Sequence, residues 1–359
     1  MLKDKIIAEM KIALLTIWRE KNYGAELQAY ATIKILQQLG HEVEMIDIRL
    51  SDCAHLNWKG HIGRFISQLG PSHKKFCEFW GKHIPTTNRY KTLKEIQAHP
   101  PTADIYIVGS DQVWNPKLTK EFATLYFLNF GNDNVKRISY ASSFGMDTWN
   151  FPHLQEEIKC LLDKFDCVTC REDSGVKILK EEFGVIADHV IDPTLLLENY
   201  NELIGETRER NTLVYYPLTV DPELEAYSLK IAKQLNLEPV NNKHCTTLFG
   251  FAEWNRVSIS EWVKNIAEAR FVITRSFHGM VFSILYKRQF AVLAGSHGRN
   301  TRLTRLLKIL GIEDRFFNSI EDMNNAKPWT KEIDYMIVYP KLLKIREESI
   351  DVLKNGIGL

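Results

Sequence analysis

Short apolar runs alternate with stretches of helical periodicity along most of the chain, and this alternation constrains the fold more than any other feature. Lys11-Ile12-Ala13-Leu14-Leu15-Thr16 is the first run. Leu27, Ala31, Ile35, Leu36 and Leu39 follow at helical spacing, Gly40 stops them, and His41 to Asp47 forms the next run. Unbroken apolar strands are buried on both faces, which requires parallel neighbours and covering helices. The unit that results is a right-handed strand–helix–strand crossover. The pattern recurs in the second half with runs at Thr212–Pro217, Leu237–Val240, Arg270–Thr274 and Gln289–Ala294. The fold expected is α/β, with two Rossmann-like doubly wound domains and a cleft between them. Boundaries are expected at 1–165 and 166–330, with a helical tail over 331–359 that packs back on the first domain. A length of 359 residues suits about two domains.

Composition excludes several classes. The net charge of +1 supplies no field for nucleic acid. No apolar run reaches the roughly 18 residues of a membrane span, although peripheral membrane contact stays open. The first nine residues are too weakly apolar for a secretory signal, and Met10 reads as a second start. A cytoplasmic setting is expected. The six cysteines (Cys53, Cys77, Cys160, Cys167, Cys170 and Cys245) are scattered and read as buried free thiols. Cys167 and Cys170 have redox-motif spacing but lie in a strand-like run, not at a helix N-terminus. No metal motif is present: HExxH and paired CxxC are absent. The loop after the first run lacks the glycine fingerprint of a dinucleotide site, and no Walker loop or G-x-S-x-G occurs.

The ends of the runs carry the polar residues. Ile273-Thr274-Arg275-Ser276-Phe277-His278-Gly279 passes from strand to helix, where free N–H groups and the helix dipole favour an anion. Arg171, Arg275 and His278 stand at strand ends or helix starts, and Arg302 joins them from a basic helix. Guanidinium groups match phosphate and carboxylate in two-point contacts, and a histidine beside them can give or hold a proton. Gly109-Ser110-Asp111-Gln112 closes another strand and supplies a carboxylate able to act as base or hydroxyl anchor. Ser142 and Ser143 have two readings, as hydrogen-bond partners of a sugar or phosphate, or as caps of the next helix. Residues 51 to 101 are rich in aromatics and irregular. They read as a helical insertion on the sheet, with an acceptor surface as the other possibility.

Several motifs, taken together, resemble the polysaccharide pyruvyl transferase family. They are Asn22-Tyr23-Gly24-Ala25 with Leu27-Gln28, Val108-Gly109-Ser110-Asp111-Gln112-Val113-Trp114-Asn115, and Tyr140-Ala141-Ser142-Ser143-Phe144-Gly145. Arg171-Glu172-Asp173-Ser174-Gly175, Asp192-Pro193-Thr194 and Ser276-Phe277-His278-Gly279 complete the set, with Arg302 before Leu306-Leu307. The resemblance implies a glycosyltransferase-B-like pair of domains. It also implies transfer of a pyruvyl group from phosphoenolpyruvate to hydroxyls of a sugar or lipid-linked glycan, with no further cofactor. On this basis His278 and Asp111 are the catalytic candidates. Arg171, Ser276, Gly279, Arg275 and Arg302 are the donor candidates, on the second domain. Asn22, Gly24, Gln28, Ser110, Gln112, Trp114, Ser142 and Ser143 are the acceptor candidates, on the first. One departure concerns Arg275. In relatives that carry serine at this place an aspartate precedes it, and adjacent strand residues point to opposite faces, so Arg275 also reads as facing a partner other than the donor. Two rival readings share the architecture: a nucleotide-sugar glycosyltransferase and a non-catalytic glycan-binding protein.

Overall fold

The computed structural model describes residues 9–53, 58–243, 246–248, 251–295 and 300–359. The N-terminal extension before Glu9 and Cys245 lie outside these residues. The chain divides into two compact units. The first comprises residues 1–55, 79–197 and 345–359, and the second 56–78 and 198–344.

The first unit is built on β1 (Lys11–Leu15), β2 (Glu42–Asp47), β3 (Thr86–Arg89), β4 (Ile105–Val108) and β5 (Lys136–Ser139). All pairings are parallel and the order is β3-β2-β1-β4-β5. The helix Tyr23–Gln38 makes the first crossover, and Asn22 caps it by accepting from Gly24 N at 3.0 Å. The core includes Leu15, Ile46, Val108, Trp114, Phe127, Phe144, Ile178 and Phe183.

The expected boundary at 165/166 moves to 197/198. The reason is backbone pairing. The short strands β6 (Thr169–Cys170) and β7 (Asp188–His189) pair in parallel with each other. They continue the first sheet through parallel bridges from Cys167 to Ile138 and from Cys170 to Ser142. Thr169 locks this edge, since its N–H donates to Ser139 Oγ at 2.7 Å and Ser139 Oγ donates to Thr169 O at 3.0 Å. The tail is helical over Tyr335–Ile357. From Ile345 it belongs to the first unit, where Arg346 Nε donates to Leu195 O at 2.6 Å and Ser349 Oγ accepts from Ile191 N at 3.2 Å.

The second unit holds β8 (Thr212–Tyr216), β9 (Glu238–Asn241), the hairpin β10 (Thr246–Leu248) with β11 (Phe251–Asn255), then β12 (Phe271–Thr274), β13 (Gln289–Leu293) and β14 (Phe316–Phe317). Its main sheet is parallel in the order β14-β13-β12-β8-β9. The helix Ile259–Glu268 precedes β12 and starts with a capping box between Ser258 and Glu261, which draws the Glu261 carboxyl below its usual range through the Ser258 N–H. The two Rossmann-like, doubly wound units expected from the alternation are therefore present.

The stretch from 51 to 101 is more regular than expected. It holds the helices Trp58–Leu69, Pro71–His83 and Leu93–Ala98, and the edge strand β3. That strand reads Thr-Thr-Asn-Arg, without an apolar residue to betray it. The thiols also divide. Cys170 is buried and Cys167 partly so, but Cys77 and Cys160 are exposed on the outer faces of their helices.

Candidate functional site

In an open parallel sheet, ligands bind beyond the carboxyl ends of the strands where the strand order reverses. In the first unit the order reverses between β1 and β4, and in the second between β8 and β12. The first reversal carries Thr16 and Gly109-Ser110-Asp111. The second carries Arg275-Ser276-Phe277-His278. Both motifs singled out in the sequence thus stand at the position that the topology selects.

At the first reversal Thr16 Oγ1 donates to Ser110 O at 2.6 Å and accepts from Gln28 Nε2 at 3.0 Å. Gly109 lies so close to Thr16 that a Cβ there would be 3.1 Å from the Thr16 Cβ. Asp111 takes a left-handed backbone, φ +76°. Its Oδ1 accepts from Gln112 N at 2.8 Å, and its side chain keeps 20% of its surface. Beneath it sits Arg171. The guanidinium donates to Asp192 Oδ2 at 2.8 Å and to Ser110 Oγ at 3.2 Å, and lies 3.7 Å from Glu172 and 3.9 Å from Asp111. Burial opposes its charge, but Asp192, Glu172 and Asp111 outweigh that and raise its pKa. Ser143 Oγ hydrogen-bonds Glu172 Oε1, and Gly145 N donates to the same carboxylate oxygen at 3.2 Å. Thr194 donates through its N–H and its hydroxyl to Asp192 Oδ1, at 3.0 and 2.6 Å.

These contacts separate the candidates. Gln28, Ser110, Trp114, Ser142 and Ser143 are fully buried. Gln28 also donates to Ile17 O and Ala25 O, Trp114 Nε1 donates to Tyr126 O at 3.0 Å, and Ser142 Oγ donates to Gly109 O at 3.0 Å. They build the strand end and do not line its surface. Gly24 is buried in the first turn of its helix. Asn22 is exposed, and Asp111 and Gln112 are half-buried. Arg171 belongs to the first unit and not to the donor half assigned from sequence. Its side chain is 2% exposed and is shared among three carboxylates, which makes it the organiser of Ser110 and Asp111.

Glu26 is a residue that the sequence reading missed. It is fully buried and accepts from Trp80 Nε1 at 2.7 Å, Glu20 N at 3.1 Å and Arg19 N at 3.3 Å. Burial pushes its carboxyl up to about 7, while the bond from Trp80 works in the other direction. Glu26 ties down the loop between β1 and its helix, in which Arg19 and Lys21 have φ of 60° and 51°. The signal available in the sequence was a helix start, Tyr23 to Ile33, in which Glu26 is the one charged residue; every residue of that stretch is buried.

At the second reversal Ser276 caps the nine-residue helix Phe277–Leu285, accepting from Gly279 N at 3.3 Å. Gly279 is required there, since a Cβ would lie 2.5 Å from Thr274 Oγ1. His278 is half-buried on the first turn. Phe277 meets the His278 ring edge-on at 5.3 Å and carries the Arg302 guanidinium 5.3 Å from its own centroid. Arg275 turns elsewhere. It donates to Asp221 Oδ2 at 2.6 Å and to Ala294 O at 2.5 Å, and Asp221 in turn caps the helix Pro222–Leu235. Ser276, Gly279, His278 and Arg302 therefore form one group, and Arg275 stands outside it. Among the described residues no cluster of His, Cys, Asp and Glu is arranged to hold a metal ion.

Several solved structures have a similar course of chain. One is a UDP-GlcNAc 2-epimerase from Neisseria meningitidis bound to UDP-GlcNAc, at TM-score 0.48 and 11% identity, covering 97% of this chain and 99% of that one. Another is the glycotransferase of kitacinnamycin, at TM-score 0.48 and 12% identity, covering 98% and 100%. A third is an alpha-glucosyltransferase in complex with UDP and DNA, at TM-score 0.48 and 12% identity, covering 97% and 95%. No curated protein matches the sequence. The family model for polysaccharide pyruvyl transferase matches residues 22–297, a span that takes in Gly109-Ser110-Asp111 and Arg275-Ser276-Phe277-His278. The chain is a transferase and belongs to the polysaccharide pyruvyl transferase family.

Proposed function

We propose that this protein moves the pyruvyl group of phosphoenolpyruvate onto hydroxyls of a polysaccharide or its sugar precursor, forming a pyruvate ketal and releasing phosphate. The supporting observation is the group at the second reversal: His278 on the first turn of a helix capped by Ser276, with Arg302 beside Phe277. A helix N-terminus and a guanidinium suit a small donor that carries both phosphate and carboxylate. No further cofactor enters the reaction.

In this reading His278 gives a proton to the methylene carbon of the donor, and the adjoining enol carbon becomes electrophilic. A sugar hydroxyl attacks that carbon and loses its proton to a base. The carbon–oxygen bond to phosphate breaks, phosphate leaves, and a second hydroxyl of the acceptor closes the ketal as its proton passes to the departing phosphate. Asp111, at the first reversal, is assigned to the acceptor as base or anchor, with Asn22 and Gln112 as further acceptor contacts. Arg171 is assigned a positioning role under Asp111. We place the reaction in the cytoplasm, with a free or lipid-linked glycan as acceptor and no nucleic acid as partner. Among the described residues no helix is long and apolar enough to cross a membrane.

The test is phosphate release from phosphoenolpyruvate in the presence of saccharide acceptors, with mass analysis of the acceptor. General acid–base catalysis contributes about 10²–10⁴-fold, so His278→Ala should lose activity by that order while remaining folded. Full turnover in that variant would remove His278 from the mechanism. Thermal stabilisation by nucleotide sugars and not by phosphoenolpyruvate would transfer the reading to a glycosyltransferase.

A further inference from the structure

The second unit has a cavity of about 340 Å³ at the amino-terminal ends of β12 and β13, the end of the sheet opposite to His278. Its size is at the lower end of the ~300–1,000 Å³ typical of small-molecule sites. Arg270, Lys287, Arg288 and Lys331 line it, against the acids Glu209 and Glu332. Two of these cations are already neutralised: Arg288 pairs with Glu209 at 2.7 Å and Lys331 with Asp314 at 3.3 Å. The other two have neutral partners. Arg270 Nη1 donates to Asn211 Oδ1 at 3.3 Å, and Lys287 Nζ sits 4.0 Å from the Tyr339 ring centroid. Neither forms an ion pair among the described residues.

The cavity also has an apolar wall. Trp329 meets Phe271 edge-on, with ring centroids 6.4 Å apart. A ligand that fits this lining has an apolar face for the Trp329 ring and an acidic group for Arg270 and Lys287. A sugar ring with a carboxylate or phosphate has both.

We propose that this cavity is a binding site for an anionic saccharide unit, separate from the transfer site at His278. It holds acidic glycan to the protein and takes no part in the chemistry. The inference does not depend on phosphoenolpyruvate being the donor.

The test uses protein labelled with ¹⁵N at tryptophan and four probes: galacturonate, glucose 1-phosphate, galactose and inorganic phosphate. The Trp329 indole resonance is assigned as the one that disappears in Trp329→Phe. It should shift with both acidic sugars, and Arg270→Ala and Lys287→Ala should weaken that binding by about tenfold or more. Should Trp329→Phe not fold, calorimetry of the wild type against Arg270→Ala gives the same comparison. An unmoved resonance, an equal response to galactose, or an effect reproduced in full by inorganic phosphate would each overturn the proposal. Binding without phosphate release from phosphoenolpyruvate would retain this site and reject the proposed donor.

Discussion

Arg171 Nη1 donates to Asp192 Oδ2 at 2.8 Å, and the two side chains are only 2% and 0% exposed. This pair fixes the turn that presents Asp111. Removing one partner of a buried ion pair leaves an uncompensated charge and costs about 3–5 kcal/mol. Arg171→Met should therefore destabilise the protein by that amount in urea unfolding. Arg171→Lys, which cannot span Asp192, Ser110 and Glu172 together, should fall between the two. A stable Arg171→Met protein whose only defect is a higher KM for phosphoenolpyruvate would restore this arginine to the donor.

Glu26 makes stability depend on pH. Its folded carboxyl titrates near 7, against an ordinary value of 4.5. The folded state therefore binds more protons than the unfolded state between these values, and stability falls as pH rises through that window. The full difference is on the order of 3 kcal/mol above pH 7 and vanishes below about 4.5. Glu26→Gln removes the titration. The unfolding free energy of the variant relative to wild type should rise steadily from pH 4.5 to 7, measured by denaturant titration at each pH. A pH-independent offset between the two would contradict the assignment.

The strand ends were legible in the sequence because apolar runs stop abruptly there. Val108-Gly109-Ser110-Asp111 and Thr274-Arg275-Ser276 look the same on the page and in the fold. What periodicity does not convey is the depth of a polar residue. Ser142, Ser143 and Gln28 have the side chains of a sugar site, yet their partners are backbone carbonyls, Thr16 and Glu172. Apart from Ala25, which is in the same helix as Gln28, those partners come from other segments of the chain, so the sequence around each residue has no record of them. Arg171 was assigned to the wrong half for a related reason. Strand β6 has only two residues, and its place in the first sheet rests on bridges to β5 and Ser142.

Gly279 is a second point at which the fold controls the site. A Cβ there would lie 2.5 Å from Thr274 Oγ1 and 3.1 Å from Thr274 Cβ. Thr274 cannot yield freely, since its hydroxyl donates to Tyr216 O at 3.1 Å and accepts from Ser276 N at 3.0 Å. Overpacking of this kind costs about 1–3 kcal/mol. Gly279→Ala should lose stability in that range and also lose activity, because the displaced turn carries Ser276 and His278. The double variant Gly279→Ala with Thr274→Ala should be less destabilised than the sum of the single changes, as expected of residues in contact. Additive losses would show that the clash is relieved elsewhere.

Arg275 and Arg302 separate structure from binding. Arg275 is held by Asp221 at 2.6 Å, with side-chain exposures of 23% and 18%. A partly exposed pair of this kind is worth about 1 kcal/mol or less. Arg275→Ala should lower stability by that order and leave the KM for phosphoenolpyruvate nearly unchanged. Arg302 instead stacks on Phe277, next to His278. Arg302→Ala should leave the fold intact but raise the donor KM by about tenfold, the loss of one charge-assisted contact to an anion. Steady-state kinetics on the two variants, alongside their melting curves, reads both quantities. A donor KM that rises for Arg275→Ala and not for Arg302→Ala would place the donor on the Asp221 side of the turn and exclude the group built around Phe277.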